Sequence, residues 1–270
     1  GGDSAEREVS LHSGLAVAAA LRRRGYDVQV LDLSERLLSG QSLAQLTGAN
    51  RPDAVFLCVH GNRAEDGAIQ GLCEMLHLPH TGSDIQSSAV CMDKHLTKQI
   101  LTAAGIRVPI GVKLQAGQPI PSGLPEKVVV KPNEQGSTVG LSFVQVSDEL
   151  EPAVRKAFSY AKEVLIEEWL LGMEISVPVL CGQALPAVEI VPKTGRYDFA
   201  SKYEPGATEE ICPARLPEEM LRQVEAIALR CHQVLGCRGA SRTDMIVTES
   251  GPVVLELNSL PGMTATSLLP

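Results

Sequence analysis

The chain has 270 residues and a mass of 28.8 kDa, with 44% hydrophobic and 21% charged residues, a formal net charge of -8 and a pI near 5.3. That is enough chain to bury a core in two or three domains, and its acidity excludes nucleic acid and anionic membrane as general partners, because both demand a basic face. Seven cysteines without zinc-type CxxC spacing, and no apolar run near the roughly 20 residues that span a bilayer, read as a cytoplasmic protein with reduced thiols.

In chain order, Val9, Leu15, Ala18 and Leu21 recur at helical intervals, and the run ends in Arg22-Arg23-Arg24 before Gly25, which predicts a helix over 9–24 with a basic last turn. Residues 27–33 and 54–60 are rich in β-branched side chains and are separated by a leucine-spaced polar stretch. This predicts alternating strands and helices on a parallel sheet, a Rossmann-like unit over roughly the first 80 residues. A single long helix is expected over 87–106. A short strand over 127–131 then runs into the Gly-rich segment 132–140, and strands over 164–170, 175–180 and 187–191, separated by turns at Gly172 and Gly182, are expected to be antiparallel. Residues 193–212 have little periodicity, the mark of a functional loop. A helix over 217–235 stopped by Gly236 and two final strands complete the pattern.

The final strands carry the most chemistry. An odd-length loop at Glu249-Ser250-Gly251 puts Asp244 opposite Glu256 and Arg242 opposite Asn258. Alternation then gathers these four on one face, with Met245, Val247, Val253, Leu255 and Leu257 on the other. Two carboxylates and an amide beside an arginine suit magnesium, which takes oxygen ligands and accepts phosphate oxygens in its shell. Taken alone, a hairpin with one apolar and one solvated face is the plainer reading. The segment Lys131-Pro132-Asn133-Glu134-Gln135-Gly136-Ser137-Thr138-Val139-Gly140 offers close backbone approach, successive N–H donors and two hydroxyls to an anion. It lacks the GKS/GKT ending of a Walker loop, and a hairpin turn is the alternative. Lys94, Lys131 and Lys202 are cations on three segments; a triphosphate site in so acidic a chain needs them together, and singly each reads as a solvated lysine.

Several motifs stand in a familiar order: Gly1-Gly2 through Leu11, His60-Gly61, Glu65-Asp66-Gly67, Gln70-Gly71, Met92-Asp93-Lys94, Lys131 to Gly140, Tyr197-Asp198, Lys202-Tyr203, Pro213-Ala214, Arg242-Thr243-Asp244, and Glu256 to Thr264. Over essentially the whole chain they resemble the signatures of the D-alanine–D-alanine ligases. That resemblance implies α/β and α+β architecture: an ATP-grasp fold with an N-terminal Rossmann-like (pre-ATP-grasp) domain. It divides the chain into 1–82, a substrate domain lacking its first strand, 83–166, a central subdomain, and 167–270, a catalytic subdomain lacking its C-terminal helix. The opening at Gly1 and the close at Pro270 accordingly read as those of a piece of a longer product.

The implied reaction joins two D-alanines through an acyl phosphate for peptidoglycan synthesis, using ATP and two Mg2+ or Mn2+ ions, in a cytoplasmic homodimer. By the same resemblance Glu6 and His60 meet the first D-alanine, Lys94, Lys131 and Lys202 the ATP phosphates, and Ser137 the loop closing over them. Glu167, Glu168, Trp169 and Leu170 line the adenine and Glu174 the ribose, while Asp244, Glu256 and Asn258 hold the metal. Arg242 and the Gly262 N–H face the oxyanion, Ser267 and Leu268 the second carboxylate, and Tyr203 sits in a lid. Arg63-Ala64 stand where the family often has glycine, and His80 where it has tyrosine. Rival readings are a D-Ala-D-Lac or D-Ala-D-Ser ligase of the same fold, or an ATP-binding paralogue without turnover.

Overall fold

The computed structural model describes all residues except 3, 5, 34–40, 146–148 and 194–205. Lys202 and Tyr203, with most of the expected lid, lie outside the described residues. Helix α1 (Arg7–Arg23) begins two residues ahead of the periodic pattern and ends where Gly25 takes a φ of +87°. Its buried positions, Ser10, Ser13 and Ala18, are small, which lets other backbone come close. Ser10 Oγ accepts from the His60 N–H at 2.9 Å and Ser13 Oγ from the Met263 N–H at 3.1 Å.

The runs expected as strands at 27–33 and 54–60 form no ladder; a single parallel bridge, Val55 to His80, keeps the expected direction. The reason lies in what neighbours them. A Cβ on Gly2 would stand 3.0 Å from Val59 Cγ1 and 4.0 Å from the Leu33 carbonyl, so residues 1–2 lie against both runs. There Arg7 Nη1 donates to the Gly2 carbonyl, so a side chain satisfies a group that a sheet partner would otherwise take. Helices α2 (Gln41–Thr47) and α3 (Ala68–Met75) supply Leu46, Ile69 and Cys73 to a small apolar cluster with Leu57 and Leu78, which Leu260 completes from the far end of the chain.

Two helices, α4 (Ile85–Met92) and α5 (Lys94–Ala103), replace the expected single helix. Asp93 breaks it: at φ -81° and ψ 97° it ends α4, and its carboxylate caps α5 by accepting from the Leu96 N–H at 2.9 Å.

Strands β1 (Gly111–Gln115), β2 (Val128–Pro132), β3 (Ser142–Val144) and β4 (Glu163–Glu168) form an antiparallel sheet ordered β1-β4-β2-β3, covered on one face by α6 (Leu150–Phe158). The second sheet contains β5 (Met173–Leu180), β6 (Gln183–Ala184), β7 (Val188–Pro192), β8 (Thr208–Ile211), β9 (Ala240–Thr248) and β10 (Gly251–Asn258), ordered β10-β9-β5-β7-β8 with β6 pairing β5. Helix α7 (Glu218–Val234), with α4 and α5, packs Val224, Ala228, Cys91 and Leu101 against Ile175, Val177, Met245 and Val254. The other face of this sheet is left for chemistry.

The final hairpin reaches the expected pairing by a different route. Glu249 and Ser250 make a two-residue turn, Gly251 pairs with Thr248, and a bulge at Leu255 shifts the register so that Glu256 meets Asp244 and Asn258 meets Arg242. The bulge also turns Leu255 to the same side as Glu256, into the cavity described next, rather than to the apolar face. Val254 takes the core position instead.

Candidate active site

A cavity of about 570 Å3 is lined on one side by β2, β4 and the 133–141 loop and on the other by β5, β7, β9 and β10. It gathers Lys94, Lys131 and Ser137, the β4 end Glu167-Glu168-Trp169-Leu170, Glu174, and the pair Asp244 and Glu256. A larger hollow of about 910 Å3, between His80–Gln86 and the Leu260 region, contains none of the expected site residues.

The cationic end is built by α5 and β2. Asn133, fully buried, accepts from the His95 N–H and donates to the Asp93 carboxylate, both at 2.9 Å, which fastens the start of α5 to the Gly-rich loop. Lys94, the first residue of α5, thereby donates to the Gln135 carbonyl at 2.7 Å and lies 3.5 Å from the Glu256 carboxylate. On β2, Lys131 is two residues from Val129, the register partner of Glu167 on β4, so both side chains stand on one sheet face. Its Nζ is 2.9 Å from Glu167 Oε2, and Lys98 of α5 holds Oε1. Burial pushes the Glu167 carboxyl up, but the two ammonium groups outweigh it and hold its pKa below the usual range. Lys131 is held above its usual range because Glu167 and Glu256 prevail over burial. Lys98 is brought down to about 7 by burial and by the Lys131 charge.

Both glutamates at the end of β4 are engaged by protein groups, since the Glu168 carboxylate accepts from the Ile110 N–H at 2.9 Å. Beside them Trp169 packs against Phe143, the ring centroids 4.9 Å apart and the planes tilted by 48°. The loop that follows β2 puts two successive non-glycine residues in the left-handed region, Ser137 at φ 52° and Thr138 at φ 57°. Such backbone costs on the order of 1 kcal/mol or more per residue and concentrates at ligand clamps.

At the acidic end Asp244 is 7% exposed. It receives Ser176 Oγ at 2.6 Å, Arg242 Nε at 2.9 Å and Nη2 at 2.8 Å, and the Asn258 amide at 3.4 Å. Asp244, Glu256 and Asn258 offer hard oxygen donors on neighbouring register positions, the donor chemistry magnesium takes. A second acidic group, Asp93, Glu134 and Glu163, is close enough to hold an ion, but Lys113 lies 2.9 Å from Glu163 and Asp93 is already committed to capping α5.

Glu6 adjoins the loop, and His60 lies behind it, its carbonyl accepting from Ser4 Oγ at 2.8 Å. Ser137 Oγ donates to Glu6 Oε1, and a Cβ on Gly136 would come within 2.9 Å of Glu6 Oε2, so glycine is what lets the loop lie against this carboxylate. His60 is 4% exposed, with Nδ1 3.4 Å from Glu65 and Nε2 without a hydrogen-bond partner among the described residues. Burial lowers its pKa, but Glu65 and Glu6 together raise it above the usual value. Arg63 takes φ 67°, a glycine-like conformation, with its N–H donating to Asp66 at 2.7 Å.

Gly262, Ser267 and Leu268 share the loop after β10. A Cβ at 262 would meet Ser267 Oγ at 2.8 Å, and that oxygen also accepts from the Thr264 N–H at 2.9 Å, so Gly262 permits the turn; Leu268 is half-buried there. Lys98, Ser176, Ser13 and Glu65 are contacts of the site that motif matching does not assign.

Residues 119–270 match the family model for the D-ala D-ala ligase C-terminus, and residues 38–83 that for its N-terminus. The D-alanine–D-alanine ligase of Syntrophotalea carbinolica is 44% identical over all of this chain and 87% of its own length, and that of Geobacter sulfurreducens 43% over all of this chain and 85% of its own. Among solved structures, the D-alanine–D-alanine ligase of Bacillus anthracis superposes with a TM-score of 0.84 at 33% identity, covering all of this chain and 88% of that one. The VanG D-Ala:D-Ser ligase of Enterococcus faecalis superposes at 0.83 with 30% identity, covering all of this chain and 91% of that one.

Proposed function

The chain belongs to the D-alanine–D-alanine ligase family, and on that premise we propose that the 570 Å3 cavity binds ATP and that the residues around it carry out ligation. The reaction is ATP-dependent ligation of two D-alanines to D-alanyl-D-alanine for peptidoglycan synthesis, on an ATP-grasp fold. No helix among the described residues is long and apolar enough to cross a membrane.

The single observation that carries the reading is the convergence of Lys94, Lys131 and the 136–140 loop with Asp244 and Glu256 on one cavity. An amino-acid carboxylate is a poor electrophile at neutral pH, so it is first phosphorylated by ATP to an acyl phosphate with release of ADP; the amine of the second D-alanine, having lost its proton, then attacks the acyl carbon and phosphate leaves. Lys94 and Lys131 hold the phosphates, and the backbone N–H groups and hydroxyls of 136–140 close over them. Trp169 and Leu170 receive the adenine, and Glu174 the ribose. Glu6 and His60 bind the ammonium end of the first D-alanine, while Ser267 and Leu268 meet the carboxylate of the second. Arg242, held by Asp244, stabilises the oxyanion with the Gly262 N–H; one such donor contributes about 3 to 4 kcal/mol. Asp244, Glu256 and Asn258 would hold two divalent ions, which would supply charge neutralisation to the transferring phosphoryl group. Lys202 and Tyr203 belong to the lid in this reading.

The test is ADP release dependent on D-alanine, with D-serine and D-lactate offered as competing acceptors. We expect D-alanyl-D-alanine as the main product, and Glu256→Gln to abolish turnover with folding nearly intact. Near-normal turnover in that variant would remove the metal assignment, and a mainly D-Ser or depsipeptide product would remove the acceptor assignment.

A further inference from the structure

Lys98 stands outside the assigned machinery, yet it is 7% exposed and belongs to the most deeply buried charge cluster at the cavity wall, with Glu167 at 4% and Lys131 at 9%. It lies one helical turn beyond Lys94 on α5, so both ammonium groups project from the same face. The Glu167 carboxylate is divided between Lys98 on one oxygen and Lys131 on the other. Room for it is built into the neighbouring strand: a Cβ on Gly111, the register partner of Glu167 on β1, would come within 2.7 Å of Glu167 Cγ. Such a buried cluster is costly unless a ligand or partner draws on its charge.

The charges decide what the cluster can do. With Lys98 present, the three groups sum to one positive charge; without it, Glu167 and Lys131 neutralise each other. We propose that Lys98 is a positioning residue for the nucleotide: by neutralising Glu167 it leaves the Lys131 charge available to the phosphates and fixes the aim of that ammonium. This rests on the reading of the cavity as the ATP site. A residue acting in this way leaves the chemical step alone and sets affinity for the polyanion.

Of the two lysines of the cluster, Lys98 is the one whose pKa is brought down, to about 7, by burial and the Lys131 charge, against the opposite pull of Glu167 and Glu256. It is therefore charged below about pH 7 and neutral above in the free protein. An incoming polyanion favours the charged form, so binding takes up a proton when the pH lies above 7.

The experiment titrates the magnesium complex of AMP-PNP into wild type, Lys98→Met, Lys98→Arg, Lys131→Met and the double variant Lys98→Met/Glu167→Gln by calorimetry, with KM for ATP and for D-alanine measured alongside. Lys98→Met is expected to weaken AMP-PNP binding and raise KM for ATP about tenfold, as loss of one nearby charge would, with KM for D-alanine little changed. Lys98→Arg keeps the charge and stays near wild type. The double variant restores one net positive charge and binds AMP-PNP more tightly than Lys98→Met alone, which a purely structural role for Lys98 would not produce. The ratio of Lys98→Met to wild-type dissociation constants is largest at pH 6 and contracts by pH 9, because titration of the nucleotide cancels in the ratio. If Lys98→Met does not fold, Lys98→Arg carries the test, and a tenfold loss in it overturns the proposal. Wild-type affinity in Lys98→Met with loss in Lys131→Met also overturns it. Unchanged affinity in Lys98→Met and in Lys131→Met alike means instead that the cavity is not the nucleotide site.

Discussion

At the scale of single residues, the site depends on side chains that hold other side chains. Ser176 is fully buried on β5 and directs its hydroxyl to Asp244, opposite which it lies in the ladder. Partners that orient a metal ligand typically carry 10- to 100-fold of affinity, so Ser176→Ala is expected to raise the magnesium concentration for half-maximal rate by about tenfold or more. A magnesium titration of initial rates reads this directly, and an unshifted midpoint would mean that Asp244 needs no such support. The sequence does carry a signal for one overlooked residue. The buried stripe of α5 is Lys94, Thr97, Lys98 and Leu101, helical positions i, i+3, i+4 and i+7, where a core-facing helix calls for apolar side chains. Two lysines on that stripe mark a buried cationic function without any motif. Ser176 carries no comparable signal, because an isolated serine in a strand is ordinary; only the ladder of β5 with β9 brings it to Asp244.

At the scale of elements, strands β2, β4, β5, β7, β9 and β10 and helices α1 and α7 follow from local pattern, whereas β8 forms inside the stretch that reads as a loop, and breaks and bulges follow from side chains reaching across the fold. Nothing in the periodicity of 87–106 separates α4 from α5, because the break depends on Asp93 meeting Asn133, forty residues later. Likewise the Asp244–Glu256 pairing is legible, but the bulge at Leu255 that sets it beyond a two-residue turn is not. The break has an energetic consequence. Asp93→Ala removes a helix cap, a loss of about 1 kcal/mol, and leaves the buried Asn133 amide one acceptor short, about 1 to 3 kcal/mol more. Urea denaturation should therefore show a loss of about 2 to 4 kcal/mol, together with a raised KM for ATP, since Lys94 is the next residue. A loss below about 0.5 kcal/mol would mean that water replaces both bonds without cost.

At the scale of the whole molecule, the described residues form three apolar clusters, and the smallest depends on a distant residue. Its members Leu46, Leu57, Ile69, Cys73 and Leu78 come from the first eighty residues, and Leu260 comes from the loop that carries Gly262. The hydrophobic pattern of the N-terminal part marks these residues as apolar but cannot show that their core is completed from position 260. Leu260, at 7% exposure, thus couples the stability of the N-terminal part to the position of the loop proposed to face the oxyanion and the second carboxylate. The Ser13 hydrogen bond to the Met263 N–H ties the same loop to α1. Leu260→Ala should cost about 2 to 5 kcal/mol, the range for a buried leucine, and should raise KM for D-alanine. KM for ATP should change little, because the cavity proposed for the nucleotide is lined by the two sheets and not by this cluster. Thermal melting with and without saturating D-alanine, beside the two Michaelis constants, makes the comparison. A variant that loses stability while both constants stay at wild-type values would show that the N-terminal cluster and the Gly262 loop are not coupled, and a matching rise in KM for ATP would show that the loss reaches the whole fold.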